Sequence, residues 1–179
     1  GFASVAMNLR GCSGEPNNRV VGYHGGATDD LDFLIKTLRK RFPHRPIGAV
    51  GYSLGANILL KWLGDQKESS PLFAAVSVSA PLQLNLATER LQQGFSKVYA
   101  NYLLSFMKWN QYRKNIFLYE QIDKHGSSNN QEINKINLLP SLWKINTIYD
   151  FDQYITAPIH DFKGADHYYK ESSSRYKLK

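Results

Sequence analysis

The chain has 179 residues, 42% of them hydrophobic and 21% charged, which supports the packed core of one domain, or of part of a larger one, and excludes a disordered or collagen-like chain. No apolar run approaches the roughly 20 residues of a membrane span. No secretory leader is expected from the first residues, and the single Cys12 excludes an internal disulfide framework or a multi-cysteine zinc site, so a cytoplasmic location is the expectation. Lys and Arg number 22 against 15 acidic residues, a formal charge of +7. The basic residues are scattered among the elements and form no recognition module, so no nucleic-acid partner is expected.

Residues 2–9 read as a strand that ends in the Gly11 and Gly14 punctuation, followed by a long Gly-, Pro- and Asn-rich loop. A helix opens at Thr28 or Asp29, whose side-chain oxygens suit a cap. Leu31, Leu34, Ile35, Leu38 and Phe42 form its apolar stripe, basic residues fill its last turn, and Pro43 stops it. Residues 47–52 form a short apolar run, the pattern of a strand buried on both faces. Residues 54–64 predict a helix with Ile58, Leu59, Trp62 and Leu63 inward, and residues 74–80 a third strand closed by Pro81. Strands and helices alternating at these lengths argue for a parallel sheet covered by helices. Beyond Leu82, helical spacing runs through Leu91, Phe95, Val98, Tyr99, Tyr102, Leu103, Phe106 and Trp109 with a break near Gly94. Residues 125–132 read as a polar loop, and the remainder as short helices.

Gly51-Tyr52-Ser53-Leu54-Gly55 fits G-x-S-x-G, the nucleophile elbow. A serine on a sharp strand-to-helix turn sits in a strained backbone conformation, and the flanking glycines leave room where side chains would collide. The hydroxyl then stands above the strand end, and the free amides of the following helix point at the same place. The pentapeptide alone arises by chance in such a chain with a probability of about 6%. The buried strand before it and the helix after it supply the context it needs.

The elbow, together with MNLRGCSGEPN, GYSLGANILLKWLG, VSVSAP, GFSKVY and the stretch from Phe151 to Pro158, resembles the YheT-like α/β-hydrolases, an esterase and lipase branch of that superfamily, from about Phe2 to Ser174. The resemblance implies Ser53 as nucleophile, the Leu54 amide as part of the oxyanion hole, and Gly51 and Gly55 as structural residues of the elbow. It also implies a partial α/β-hydrolase fold, with residues 1–81 as core, 82–174 as a helical cap and 175–179 as a tail leading to a further core strand. In this scheme residues 2–9 are the fourth strand of the fold. The third strand, which would lie between it and the elbow strand, is missing. The family's triad acid and histidine follow the cap, so both are expected beyond the C-terminus, and the chain reads as an internal piece with little activity of its own.

Other constellations are weaker. Asp150, Asp152, Asp161 and Asp166 with His160 and His167 offer the order Ser–Asp–His, but they read as polar groups of the cap. His24-Gly25-Gly26 imitates a lipase oxyanion loop but follows the wrong strand and reads as a turn. His24 and Asp29 match a short acyltransferase spacing, where Asp29 reads as a helix-start residue. Cys12 reads as a small loop residue. No metal-ligand spacing is present, so no metal and no cofactor is expected. Lys97, Lys108, Arg113 and Lys114 interleave with Tyr99, Tyr102, Trp109 and Tyr112, a pattern of peripheral lipid or partner contact. A cap that buries these aromatics on the core is the preferred reading. The expected function is a serine ester hydrolase acting on a small acyl ester. The alternative is a truncated, inactive paralogue that binds lipid or protein. The pattern fixes neither chain length, head group nor oligomeric state.

Overall fold

The computed structural model describes residues 3–125, 135 and 142–178. Two parallel strands form the sheet: β1 (Gly48–Tyr52) and β2 (Ala74–Val78), paired in register from Gly48 with Ala74 to Tyr52 with Val78. Between them runs helix α2 (Leu54–Gln66), which buries Ala56, Asn57, Ile58, Leu59 and Trp62. Before the sheet, α1 (Asp29–Arg41) carries Asp29, Asp30 and Asp32 in its first turn and Arg39, Lys40 and Arg41 in its last, the polarity that its dipole favours. The Trp62 indole donates to Asp32 Oδ1 at 3.1 Å and ties α1 to α2. The result is a two-stranded parallel sheet with surrounding helices, the α/β arrangement that the sequence pattern predicts.

Several expectations are corrected. Residues 3–9 form no strand, because a strand is defined by pairing and the described residues offer only the β1–β2 ladder. Thr28 precedes α1 with helical angles (φ −87°, ψ −14°) and makes no side-chain cap, because an N-cap oxygen reaches the first amides from an extended backbone. Ile35 alone of the α1 stripe is fully buried, and Phe42 is exposed. The strands are not buried on both faces. They pack on α2 at one face, and Val50 and Val76 remain more than half exposed.

After β2 the chain is helical, in short helices beyond residue 141 as the pattern predicts. Helix α3 (Leu84–Leu91) and helix α4 (Ser96–His125) meet at the expected break, where Gly94 adopts φ +52°. His125 closes α4, and the rest of the expected polar loop lies outside the described residues. Next come α5 (Ile148–Phe151), a π-helical turn (Asp152–Thr156), α6 (Ala157–Ile159) and α7 (Ala165–Ser172). A core cluster of Val20, Leu104, Leu118, Ile145, Phe151, Ile155 and Ile159 joins α4 to this helical return.

The aromatics of α4 are not buried as expected. Ala100, Leu104, Lys114 and Leu118 occupy the inward face. At 100° per residue, Tyr99, Tyr102, Phe106, Trp109, Tyr112 and Ile116 fall on the opposite side, each more than 40% exposed. The helix carries two apolar stripes, and one helix can turn only one of them to a given core.

Candidate active site

Ser53 sits between β1 and α2 with φ 49° and ψ −122°, a region that residues with a Cβ rarely adopt. Three backbone hydrogen bonds hold it there. Its amide donates to the Val78 carbonyl at 2.9 Å, one step past the last register pair, and its own carbonyl accepts from Ala56 at 3.0 Å and Asn57 at 3.2 Å. Its hydroxyl makes no capping bond, and the residue is exposed. The amides of Leu54 and Gly55 belong to the first turn of α2, where no preceding helical carbonyl is available to them.

The steric demand falls on one glycine of the pair. A Cβ on Gly51 would stand 2.6 Å from the Ala56 Cα and 2.8 Å from the Gly55 carbonyl, so the strand and the helix approach only through a bare Cα. At Gly55 a Cβ would meet nothing within 4 Å, and the collision expected there is absent among the described residues.

Two features went unread in the sequence. Ser79 follows β2 as Ser53 follows β1, and it too has a positive φ, 53°. Two strained serines therefore stand side by side at the carboxyl ends of adjacent parallel strands, where α/β sheets bind ligands. Asn57, fully buried one turn after Ser53, uses its whole amide. Its Nδ2 donates to the carbonyls of Gly25 (2.8 Å) and Ser172 (2.9 Å), and its Oδ1 accepts from the Ser174 amide (3.0 Å). The signal lay in its place between buried Ala56 and Ile58. A polar residue inside an apolar stripe must find partners.

His24, Gly25 and Gly26 form the expected turn, closed by hydrogen bonds from Ala27 to His24 and from Thr28 to Gly26. Its glycines are packing residues. A Cβ on Gly25 would press on Leu84, Tyr168 and Leu54, and one on Gly26 would lie 2.6 Å from Ser172 Oγ. His24 is packed rather than loose, with its ring 4.4 Å from that of His160 and within 6 Å of Phe162 and Tyr168. Burial first, then the charges of Lys61 and Arg10, lowers its pKa to about 4. Burial and His24 lower that of His160 to about 3. Both rings are neutral at neutral pH.

Neither His160 nor His167 is hydrogen-bonded to Ser53. His167 Nδ1 accepts from the Lys163 amide, and the His160 ring packs at a tilt against that of His24. The aspartates have local partners as well. Asp150 forms a capping box with Thr147, Asp161 pairs with Lys135 at 2.7 Å, and Asp152 accepts from Thr156 and Tyr169. Burial raises the Asp152 carboxyl to about 6. Asp29 lies in the first turn of α1. Cys12 is exposed, and partial burial of its thiol raises its pKa in spite of Tyr23, the opposite of an activated thiolate. Among the described residues no cluster of three or more His, Cys, Asp or Glu side chains could hold a metal ion, and no helix is long and apolar enough to cross a membrane.

The sequence model of the Hydrolase_4 family, serine aminopeptidase S33, matches residues 1–138. The chain belongs to this α/β-hydrolase family. It is 39% identical over 174 residues to the "Putative esterase YheT" of Escherichia coli, an alignment covering 97% of this chain and 47% of that protein. It is 31% identical over 181 residues to the monoacylglycerol lipase of Saccharomyces cerevisiae, covering 97% of this chain and 37% of that protein. To the phospholipase ABHD3 of Mus musculus it is 27% identical over 180 residues, covering 100% and 40%. The chain thus spans about half, or less, of the length of these relatives. No solved structure matches it significantly.

Proposed function

We propose that this S33 family member is a serine carboxylic ester hydrolase that works through an acyl-enzyme on Ser53. The observation that carries the reading is the strained, exposed Ser53 at the carboxyl end of β1, on the first turn of α2. Such a serine presents its hydroxyl to a substrate without first breaking a structural bond. Ser53 Oγ attacks the ester carbonyl carbon while a histidine takes its proton, and the carbonyl oxygen, now an oxyanion, accepts from the Leu54 amide. The carbonyl re-forms as the alcohol leaves with that proton. Water, activated by the same histidine, then releases the acid and restores Ser53.

In α/β-hydrolases the acid and the histidine follow the serine in chain order. Since Asp150, Asp152, Asp161, His160 and His167 already have structural partners, we assign the triad's remaining members to positions after the cap rather than to these residues. Residues 1–81 then serve as core, 82–174 as cap, and 175–179 as the lead into the next core segment. The family's name refers to peptide bonds. The names of the matched relatives (an esterase, a monoacylglycerol lipase and a phospholipase) favour a small acyl ester as substrate.

Two paired measurements test this on the full-length protein, with the segment that supplies the histidine included. A fluorophosphonate probe should label Ser53 and no other residue, and Ser53→Ala should lower the hydrolysis of short p-nitrophenyl esters by about a thousandfold or more. An unlabelled Ser53, or an ester rate unchanged in Ser53→Ala, refutes the reading. The exposed aromatic face of α4 would then favour the second reading, an inactive relative that binds lipid or protein.

A further inference from the structure

Helix α4 holds more apolar surface than its core contact uses. From Tyr99 to Ile116 its outward stripe runs about 26 Å at 1.5 Å per residue. At its middle, Trp109 stacks on Tyr112 with ring centroids 5.8 Å apart. Across from them the turn Leu142–Lys144 presents Trp143, 75% exposed. Ser105, Lys108, Trp109, Tyr112, Leu142 and Trp143 together line an open groove of about 290 Å³.

We propose that this face, α4 together with the turn Leu142–Lys144, docks on an anionic phospholipid surface. The proposal goes beyond ester hydrolysis and does not depend on it. Lys108, Arg113 and Lys144 stand on or beside the stripe, and among the described residues none of them forms an ion pair with a carboxylate. Arg113 donates to the Gly14 carbonyl at 3.3 Å. From residue 96 to residue 122 the only acidic residue of the helix is Glu120. The chemistry is that of a water–lipid boundary: Trp and Tyr rings with polar tips, aliphatic Val98 and Ile116 at the two ends of the stripe, and long cationic stems that reach the phosphate layer. Lys108 beside Trp109 and Trp143 gives a lipid phosphate a cation at the groove while the rings enter the boundary. A second copy of the same face is the poorer occupant, because an isologous contact would set these three cations against their equals.

The test uses the full chain with vesicles of phosphatidylcholine alone and vesicles mixed with phosphatidylglycerol. Binding is expected to the mixed vesicles, weakened by salt, and much less to phosphatidylcholine. Trp62 is buried and Trp109 and Trp143 are exposed, so the accompanying blue shift of tryptophan emission should vanish in the double variant Trp109→Phe/Trp143→Phe. Lys108→Glu/Lys144→Glu should lower partitioning by about tenfold or more. Lys40→Glu, on α1, and Ser53→Ala should leave it near the parent value.

The altered side chains are exposed or at the rim, so an unchanged circular dichroism spectrum confirms that each variant is folded. The proposal is overturned if mixed vesicles bind no better than neutral ones. It is equally overturned if Lys40→Glu weakens binding as much as the groove variant does. A dimer in light scattering that Phe106→Glu dissolves would assign the face to a second copy and overturn it too.

Discussion

Ser53 holds its backbone at φ 49° against the preference of any residue with a Cβ, and the Val78, Ala56 and Asn57 hydrogen bonds keep it there. Such a residue stores about 1–3 kcal/mol of local strain. Ser53→Gly should therefore raise the unfolding free energy by about 1 kcal/mol in urea titration while abolishing probe labelling, a gain in stability at the expense of the site. A variant no more stable than the parent would show that the conformation is relaxed. Gly51 behaves in the opposite way. A methyl group there meets backbone atoms of Ala56 and Gly55 that cannot rotate aside. Gly51→Ala is expected to destabilise by about 3 kcal/mol, where Gly55→Ala changes stability by less than about 1 kcal/mol. Equal losses at the two positions would contradict the asymmetry.

At the level of elements, one buried side chain of α2 binds it to two distant segments. Asn57 joins the turn at Gly25 to the stretch at Ser172 and Ser174, and Asn57→Leu would strand two carbonyls and an amide away from water. The expected loss is about 3 kcal/mol in denaturant unfolding. A loss below about 1 kcal/mol would mean that water takes over those bonds. The legibility of the chain divides along the same line. Helices α1 and α2 and strands β1 and β2 were readable because each announces itself locally, by an apolar period or run and by Pro43, Pro81 and the acidic start of α1. The elbow was readable because its geometry needs particular residue types at fixed spacing. Residues 3–9 were misread because strand formation depends on a neighbour, which no local pattern supplies. The outward aromatics of α4 were misread because periodicity shows that a stripe exists but not which of two stripes meets the core. Asn57 was missed because its partners lie on other segments, and Ser79 because its neighbour Ser53 follows a different strand.

Across the whole molecule, the buried titratable groups oppose one another. The pKa values of His24 and His160 lie below the ordinary 6.5 in the folded state, at about 4 and about 3. The unfolded chain therefore binds more protons as pH falls below about 6.5, and stability is lost over that range. Asp152 is raised from 3.8 to about 6. Between those values the folded state holds the extra proton, so this group adds stability as pH falls below about 6. Two histidines outweigh one aspartate, and the stability of the protein should decline from pH 6.5 to pH 4. Asp152→Asn should be at least as stable as the parent at pH 7 and should lose stability more steeply on acidification. Denaturant midpoints across that range test this, and parallel curves for parent and variant would contradict it.

The Asn57 bridge also carries a message about time. Its hydrogen bonds to Ser172 and Ser174 close loops of 115 and 117 residues, long-range contacts for a chain of this size, and such contacts form late. A ribosome delivers Ser53 and Asn57 long before Ser172. During synthesis the helix behind the elbow must wait with its buried Asn57 amide unanswered until more than a hundred further residues have emerged. Nascent chains arrested before residue 172 should therefore carry α2 without its Asn57 bridge, whatever the cap has already folded around.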